Sequence, residues 1–232
     1  MRIPGLKTAR AISRWVKARV LGGALILGYH RISQTSGNVG DVYKDNVSAE
    51  NFAEQLEVLS KFTHPLSLSN LVQHLQAGSL PPKSVALTFD DGYADNLYVA
   101  RPLLEKYEIP ATIFICTGYA GGEFWWDELD RLIISSTADL GALHLQVGES
   151  RFQWDQPAIS PGTESPEKTS LRRQFRDELY RFLLKFDVED QSQAMQVIRR
   201  WSGLWPDESF AHRAMNHAEL LQLARDGLVV DL

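Results

Sequence analysis

One short run of the sequence constrains the fold more than any other. Residues 85–89 are apolar apart from one threonine, and Asp90, Asp91 and Gly92 follow at once. An apolar run of this length that ends in a turn signal is typical of a buried strand in a parallel sheet. The loops beyond the carboxyl ends of such strands meet in one crevice. The run therefore predicts an α/β fold with two neighbouring carboxylates at its functional edge.

The pattern around this run alternates between strands and helices, which is typical of a parallel α/β sheet. Apolar spacing, caps and breakers predict a strand over 24–29, a helix from Ser48 with apolar positions Phe52, Leu56, Leu59 and Phe62, a helix over 69–77, a helix over 95–107 and a strand over 111–115.

The pattern changes after Gly122 and becomes mainly helical. Helices are predicted over 171–186, 191–201 and 217–226, and a loop rich in proline and serine covers 155–166. We interpret residues 123–220 as a helical insertion in the α/β domain.

The two carboxylates at the end of the predicted strand allow two interpretations. Successive side chains of a strand point to opposite faces, so Asp90 and Asp91 can take different roles, one binding a metal and the other moving protons. Alternatively, they belong to an Asp-Asp-Gly turn in which the carboxylates cap backbone amides and Gly92 supplies a positive φ angle.

Further residues along the chain support the first interpretation. They are Gly28–Ile32, Asn96, Ala100–Leu104, Ile109–Ile115, Phe124–Asp127 and Glu219–Leu228. Together with the run at residues 85–93, they resemble the NodB-type polysaccharide deacetylases, carbohydrate esterase family 4. The resemblance implies one domain over residues 1–232, a partial NodB-type irregular (β/α) barrel with a mainly helical insertion.

The resemblance also implies a chemistry. Asp91 would be a ligand to a divalent metal, zinc first with cobalt or nickel as alternatives, and Asp90 would be the base that takes a proton from metal-bound water. The activated water would attack the carbonyl carbon of an N-acetyl or O-acetyl group on an acetylated polysaccharide or glycan and release acetate.

The metal site expected from the resemblance is incomplete. A hydrolytic zinc site needs about three protein ligands, and in the family the other two come from a His-x-x-x-His motif that follows a Gly-Leu step, here Gly227-Leu228. None of the six histidines of the chain are four residues apart, and the nearest pair is His212 and His217. The domain is thus expected to be incomplete at its C-terminus, with an open sheet edge at residues 229–232 that favours self-association.

This incompleteness leaves two alternatives to an active deacetylase open. The chain could be an inactive remnant that binds a sugar without hydrolysing it. It could also be one half of a split enzyme whose ligand histidines come from a second polypeptide.

Several other residues have two interpretations each. His30, at the end of the first strand, either lines the crevice or bonds to a neighbouring loop. Trp125 and Trp126 either contact sugar or pack in the core. Cys116 is expected to be a buried thiol rather than a nucleophile, because no motif places a base beside it.

The charge of the chain is uneven. The net charge is −5 over 232 residues, yet six basic residues and no acidic residue fall within residues 1–19. Residues 1–20 are expected to form a basic N-terminal helix that could contact a membrane surface, whereas the acidic remainder argues against nucleic-acid binding. No stretch reaches the about 20 apolar residues that span a bilayer, and a cytoplasmic location is expected.

Overall fold

The structure is a computed structural model, and it describes residues 23–34, 46–134, 136, 140–155, 166–204 and 213–225. The chain divides into two compact units. One contains the residues up to Gly122 together with those from Arg213 onward, and the other is Glu123–His212. The predicted basic helix over residues 1–20 and the predicted sheet edge over 229–232 lie outside the described residues.

The first unit alternates strands and helices, as the sequence predicts. Its elements are β1 (Leu25–Tyr29), β2 (Arg31–Ser33), β3 (Asn46–Ser48), α1 (Ala49–Phe62), β4 (His64–Pro65), α2 (Leu68–Gln76), β5 (Ser84–Phe89), a π-helical turn (Asn96–Ala100) that continues into α3 (Arg101–Lys106), β6 (Ala111–Ile113) and a 3-10 turn (Thr117–Tyr119). After the second unit the chain returns to form the last helix of this unit, over His217–Arg225.

Strand β5 is the centre of a parallel sheet. It pairs with β1 from Leu25↔Val85 to Tyr29↔Phe89, with β4 near its start and with β6 near its end. All six residues of β5 are buried, which explains its continuous apolar pattern. Because these strands are parallel, the residues that follow β1, β5 and β6 lie at the same edge of the sheet.

Helix α1 confirms its predicted cap and most of its predicted apolar face. The Ser48 hydroxyl accepts a hydrogen bond from the Asn51 N–H at 3.2 Å, a typical N-cap. Three of the predicted apolar positions, Phe52, Leu56 and Leu59, are buried. The prediction for Phe62 was wrong, because this side chain is the last of the helix and is 62% exposed where the chain turns toward β4.

An aromatic cluster supports the carboxyl end of β5 from the core. Tyr29, Phe52 and Phe89 lie with ring centroids 5.2 to 5.9 Å apart, in stacked and edge-to-face pairs. Such pairs contribute about 0.5–1.5 kcal/mol each beyond the burial of their area. Since Phe89 immediately precedes Asp90, this packing fixes the point from which the carboxylates project.

The second unit is mainly helical, but it also contains a hairpin that the helical interpretation missed. Its elements are α4 (Trp125–Ile133), β7 (Leu143–Val147), β8 (Ser150–Trp154), α5 (Pro166–Leu183) and α6 (Val188–Ser202), and we call the His217–Arg225 helix α7. Buried and exposed residues alternate along β7, the period of a half-buried strand. Trp125 is 8% exposed and stacks on Tyr180 with centroids 5.1 Å apart, which agrees with the packing interpretation of this tryptophan.

Ion pairs between buried carboxylates and partly exposed arginines link the helices of the second unit. The Glu128 carboxylate of α4 accepts two hydrogen bonds from Arg199 of α6, at 2.5 and 2.6 Å, and lies 3.5 Å from Arg131. Asp130 of α4 accepts two from Arg176 of α5. Among the described residues, the structure has no helix that is both long and apolar enough to cross a membrane.

Candidate functional site

The candidate site lies at the carboxyl edge of the sheet, where three strands end side by side. The Asp90 N–H donates to the Tyr29 carbonyl at 2.8 Å, and the Phe114 N–H donates to the Phe89 carbonyl at 2.8 Å. The first bond continues the sheet one residue beyond β5, and the second continues it one residue beyond β6. They bring Asp90 beside His30, which follows β1.

The backbone turns sharply after Asp90. Asp91 and Gly92 both have positive φ angles, 68° and 73°. For a residue with a side chain this left-handed conformation costs about 1–2 kcal/mol, so the surrounding structure must impose it on Asp91. Gly92 has the positive φ angle that the turn interpretation gave it, and a Cβ there would lie 2.7 Å from the Ile115 side chain.

The Asp91 carboxyl is half-buried, and among the described residues its side chain has a weak contact with one thiol. Its Oδ1 atom lies 3.8 Å from the Cys116 Sγ, a weak thiol contact. Burial raises the pKa of Asp91; His30 lowers this pKa and the neighbouring Asp90 raises it. A cation at this carboxylate would replace the hydration that burial removes and would favour the ionised form.

Asp90 and His30 form the open side of the site. The His30 Nε2 lies 3.9 Å from the Asp90 Oδ2, and the two side chains are 41% and 46% exposed. A carboxylate and an imidazole at this separation, both accessible to water, can exchange protons with a bound molecule. Of the two interpretations of His30, the structure therefore favours the crevice.

A buried amide holds the His30 backbone. The Asn96 side chain is fully buried, and its Nδ2 atom donates to the His30 carbonyl at 2.9 Å and to Asp95 Oδ1 at 2.9 Å. Asp95 in turn lies 3.7 Å from the Arg31 guanidinium. The turn after β5 is thereby tied to the end of β1.

Cys116 belongs to the site, a position that the sequence interpretation did not give it. Strand β6 ends at Ile113, so Cys116 lies beyond the strand and is only partly buried. Its N–H donates to the Asp91 carbonyl at 3.2 Å. Burial raises the pKa of its thiol, and the nearby Asp91 carboxylate raises it further, which agrees with an inert thiol rather than a nucleophile.

The segment 213–215, far along the chain from Asp91, is hydrogen-bonded to the loop over residues 90–94. The Met215 N–H donates to the Gly92 carbonyl and the Ala94 N–H donates to the Arg213 carbonyl, both at 2.9 Å. On its other side the segment bonds to Gly121 and Gly122. Sequence reasoning missed residues 213–215, because two isolated backbone bridges leave no periodic pattern.

The described residues fit a metal ion only in part. Asp91 offers a half-buried carboxylate, and Asp90 and His30 lie beside it. Within the ranges that the structure describes, however, no group of three His, Cys, Asp or Glu side chains could hold an ion.

The comparisons with known proteins converge on one kind of enzyme. Residues 77–140 match the polysaccharide deacetylase family. A poly-beta-1,6-N-acetyl-D-glucosamine N-deacetylase of Staphylococcus aureus is 33% identical over 113 residues, which cover 43% of this chain and 38% of that protein. The enzyme of the same name from Staphylococcus epidermidis is 33% identical over 112 residues, 42% of this chain and 37% of that protein.

The chain therefore spans less than two fifths of the length of these curated relatives. Among solved structures, a Streptococcus pyogenes deacetylase in complex with acetate is 33% identical over 41% of this chain and 43% of its own, with a TM-score of 0.37. The matched family segment contains β5, Asp90, Asp91 and Cys116, whereas His30 and residues 213–215 lie outside it.

Proposed function

We propose that this chain, whose residues 77–140 belong to the polysaccharide deacetylase family, is a hydrolase that removes acetyl groups from a carbohydrate polymer. One observation carries the proposal. Asp90 and Asp91 lie at the carboxyl end of a buried parallel strand inside the matched segment, with the His30 Nε2 3.9 Å from the Asp90 carboxylate. This arrangement supplies a base, a second carboxylate and a proton donor on adjacent strand ends.

The relatives support a choice of substrate class. The names of the staphylococcal proteins describe them as N-deacetylases of poly-beta-1,6-N-acetyl-D-glucosamine. We take an N-acetylated glucosamine polymer as the substrate, with cleavage of the amide rather than of an ester. The products are acetate and a free amine on the sugar.

The family resemblance and the positions of the side chains support the following roles. Asp90, whose side chain is 46% exposed, takes a proton from the water whose oxygen attacks the acetyl carbonyl carbon. The C–N bond then breaks, the acetyl carbon leaves as acetate, and His30 gives a proton to the amine nitrogen of the sugar. Proton transfers of this kind accelerate reactions by about 10²–10⁴-fold each.

Asp91 is the proposed ligand for a divalent metal, with zinc first and cobalt or nickel as alternatives. Such an ion, when bound, polarises the carbonyl group and makes water more acidic. The half-buried carboxylate and its weak thiol contact support this role. Since the described residues offer no set of three ligands, the proposal requires further ligands from beyond them.

The proposal is tested by acetate release from N-acetylglucosamine oligomers. We expect release by the full chain, and we expect Asp90→Asn and Asp91→Asn each to lower the rate by about 10²-fold or more, because each removes a charge from the site. Asp155→Asn is the matched control, since Asp155 is an exposed carboxylate at the end of the hairpin. An unchanged rate in either site variant would overturn the assigned roles.

A further inference from the structure

Glu219 is a buried carboxylate with an unusually full set of partners. It lies in the first turn of α7, and its side chain is 7% exposed. Its two oxygens accept hydrogen bonds from both terminal nitrogens of Arg213 at 2.7 Å, from the Tyr98 hydroxyl at 2.6 Å and from the Asn216 N–H at 2.7 Å. The Glu219 N–H in turn donates to Asn216 Oδ1 at 3.0 Å, which closes a reciprocal capping box.

These partners lie at both ends of the short segment 213–215. Arg213 begins the segment and Asn216 follows it directly. A bidentate guanidinium pair at one end and a capping bond at the other hold the segment in one conformation. Tyr98, in the π-helical turn that follows the Asp90–Ala94 loop, donates to the same carboxylate.

The segment 213–215 forms backbone hydrogen bonds with the loop over residues 90–94, which carries Asp91. Gly92 accepts from the Met215 N–H and Ala94 donates to the Arg213 carbonyl, both at 2.9 Å. Backbone bonds to Tyr29 and Cys116 hold the loop on its strand side. A left-handed residue such as Asp91 keeps its conformation only where the surroundings fix it from more than one direction.

We propose that Glu219 is a positioning residue for the site, which acts through Arg213 and Asn216 to keep the segment 213–215 against the loop and so to fix the direction of the Asp91 carboxylate. The effect on hydrolysis rests on the function proposed above for Asp91, whereas the effect on the loop does not. The Arg213 guanidinium lowers the pKa of Glu219 to about 2, so both members of the Arg213–Glu219 pair are charged throughout the neutral range.

The test compares the full chain with Glu219→Gln, which weakens the pair with Arg213, and with the gentler Tyr98→Phe, which removes one bond to the same carboxylate. Glu57→Gln is the control, because Glu57 forms an exposed ion pair with Lys61 on the surface of α1. Amide hydrogen exchange is followed at Ala94, Met215 and Cys116, and at Leu87 in the buried centre of β5. The values of kcat and KM are measured on the same samples.

We expect Glu219→Gln to speed exchange at Ala94 and Met215 about tenfold more than at Leu87, since local opening is separate from global unfolding. Tyr98→Phe should give a smaller change with the same pattern, and Glu57→Gln none. The value of kcat should fall about tenfold in Glu219→Gln with KM nearly unchanged, since substrate contacts remain.

Equal acceleration at Ala94, Met215 and Leu87 would overturn the proposal, because it would mean that Glu219 only stabilises the fold. A local change in exchange with kcat unaltered would overturn its link to Asp91. If the parent chain releases no acetate, the function proposed above fails, and the exchange pattern still decides whether Glu219 holds the loop.

Discussion

Gly92 has the least freedom of any glycine near the site. It combines a φ angle of 73° with a Cβ position that would lie 2.7 Å from the Ile115 side chain, whereas Gly78, at a φ of 65°, has no heavy atom within 4 Å of its Cβ position. We expect Gly78→Ala to lower the free energy of unfolding by about 1 kcal/mol, the cost of the φ angle alone. Gly92→Ala should lower it by about 2 kcal/mol, since the Ile115 Cδ1 atom must also move to make room for the new methyl group.

Urea unfolding of the parent chain and of the two variants measures how much free energy of unfolding each substitution removes. Equal losses of stability in Gly78→Ala and Gly92→Ala would show that the contact with Ile115 relaxes freely, and the loop would then be less rigid than the structure indicates.

His30 gives a second prediction for a single residue. If its imidazole protonates the leaving amine, His30→Gln should lower kcat by about 10²-fold while KM changes little, because glutamine keeps the size and polarity of the side chain but cannot transfer a proton. His64→Gln, on the exposed strand β4, is the matched control. A loss that appears in KM alone would make His30 a substrate contact instead.

At the scale of elements, Glu219 in helix α7 makes the free energy of unfolding depend on pH. The pKa of Glu219 falls from near 4.5 to about 2 in the folded chain, mainly through its hydrogen bonds with Arg213. A carboxylate with a lowered pKa stabilises the fold above its ordinary pKa, and this contribution is lost as the pH falls toward 2. As the pH falls from about 4.5 to about 2, we expect the free energy of unfolding of the parent chain to fall by up to about 3 kcal/mol relative to that of Glu219→Gln.

The measurement is the free energy of unfolding of both proteins at pH 6 and at pH 3. The stability advantage of the parent over Glu219→Gln should shrink markedly at the lower pH. An advantage that stays constant with pH would mean that the Arg213–Glu219 pair does not depend on the charge of the carboxylate.

The elements also show what local sequence could predict. Strand β5, the Ser48 cap and the positive φ angle of Gly92 follow from short patterns, because each is decided by residues that are neighbours in sequence. The pairing of residues 213–215 with Gly92 and Ala94 does not, since it joins positions more than 100 residues apart through backbone atoms that carry no side-chain signal. The β7–β8 hairpin was missed because helical patterns on both sides outweighed five alternating residues.

At the scale of the whole molecule, the candidate site is assembled from three separate stretches. The matched family segment contains the two carboxylates, His30 follows the end of β1, and residues 213–219 contain the Arg213–Glu219 pair. The residue pattern could therefore identify Asp90 and Asp91 and offer His30 as a candidate at the end of the first strand, but the position of Cys116 beside Asp91 required the fold itself. Self-association through an open sheet edge stays a prediction; within the described residues, β1 pairs only with β5, and Leu25 and Ile26 on it are more than half exposed.

The proposed metal-dependent deacetylation is tested most directly by acetate release from an N-acetylglucosamine oligomer. Release by the full chain is measured after treatment with a chelator and again after zinc is returned. We expect the chelator to abolish release, zinc to restore it, and Asp91→Asn to remain inactive in both conditions, because that variant loses the proposed ligand charge. Release that persists in the chelator, or that zinc restores equally in Asp91→Asn, would contradict the account.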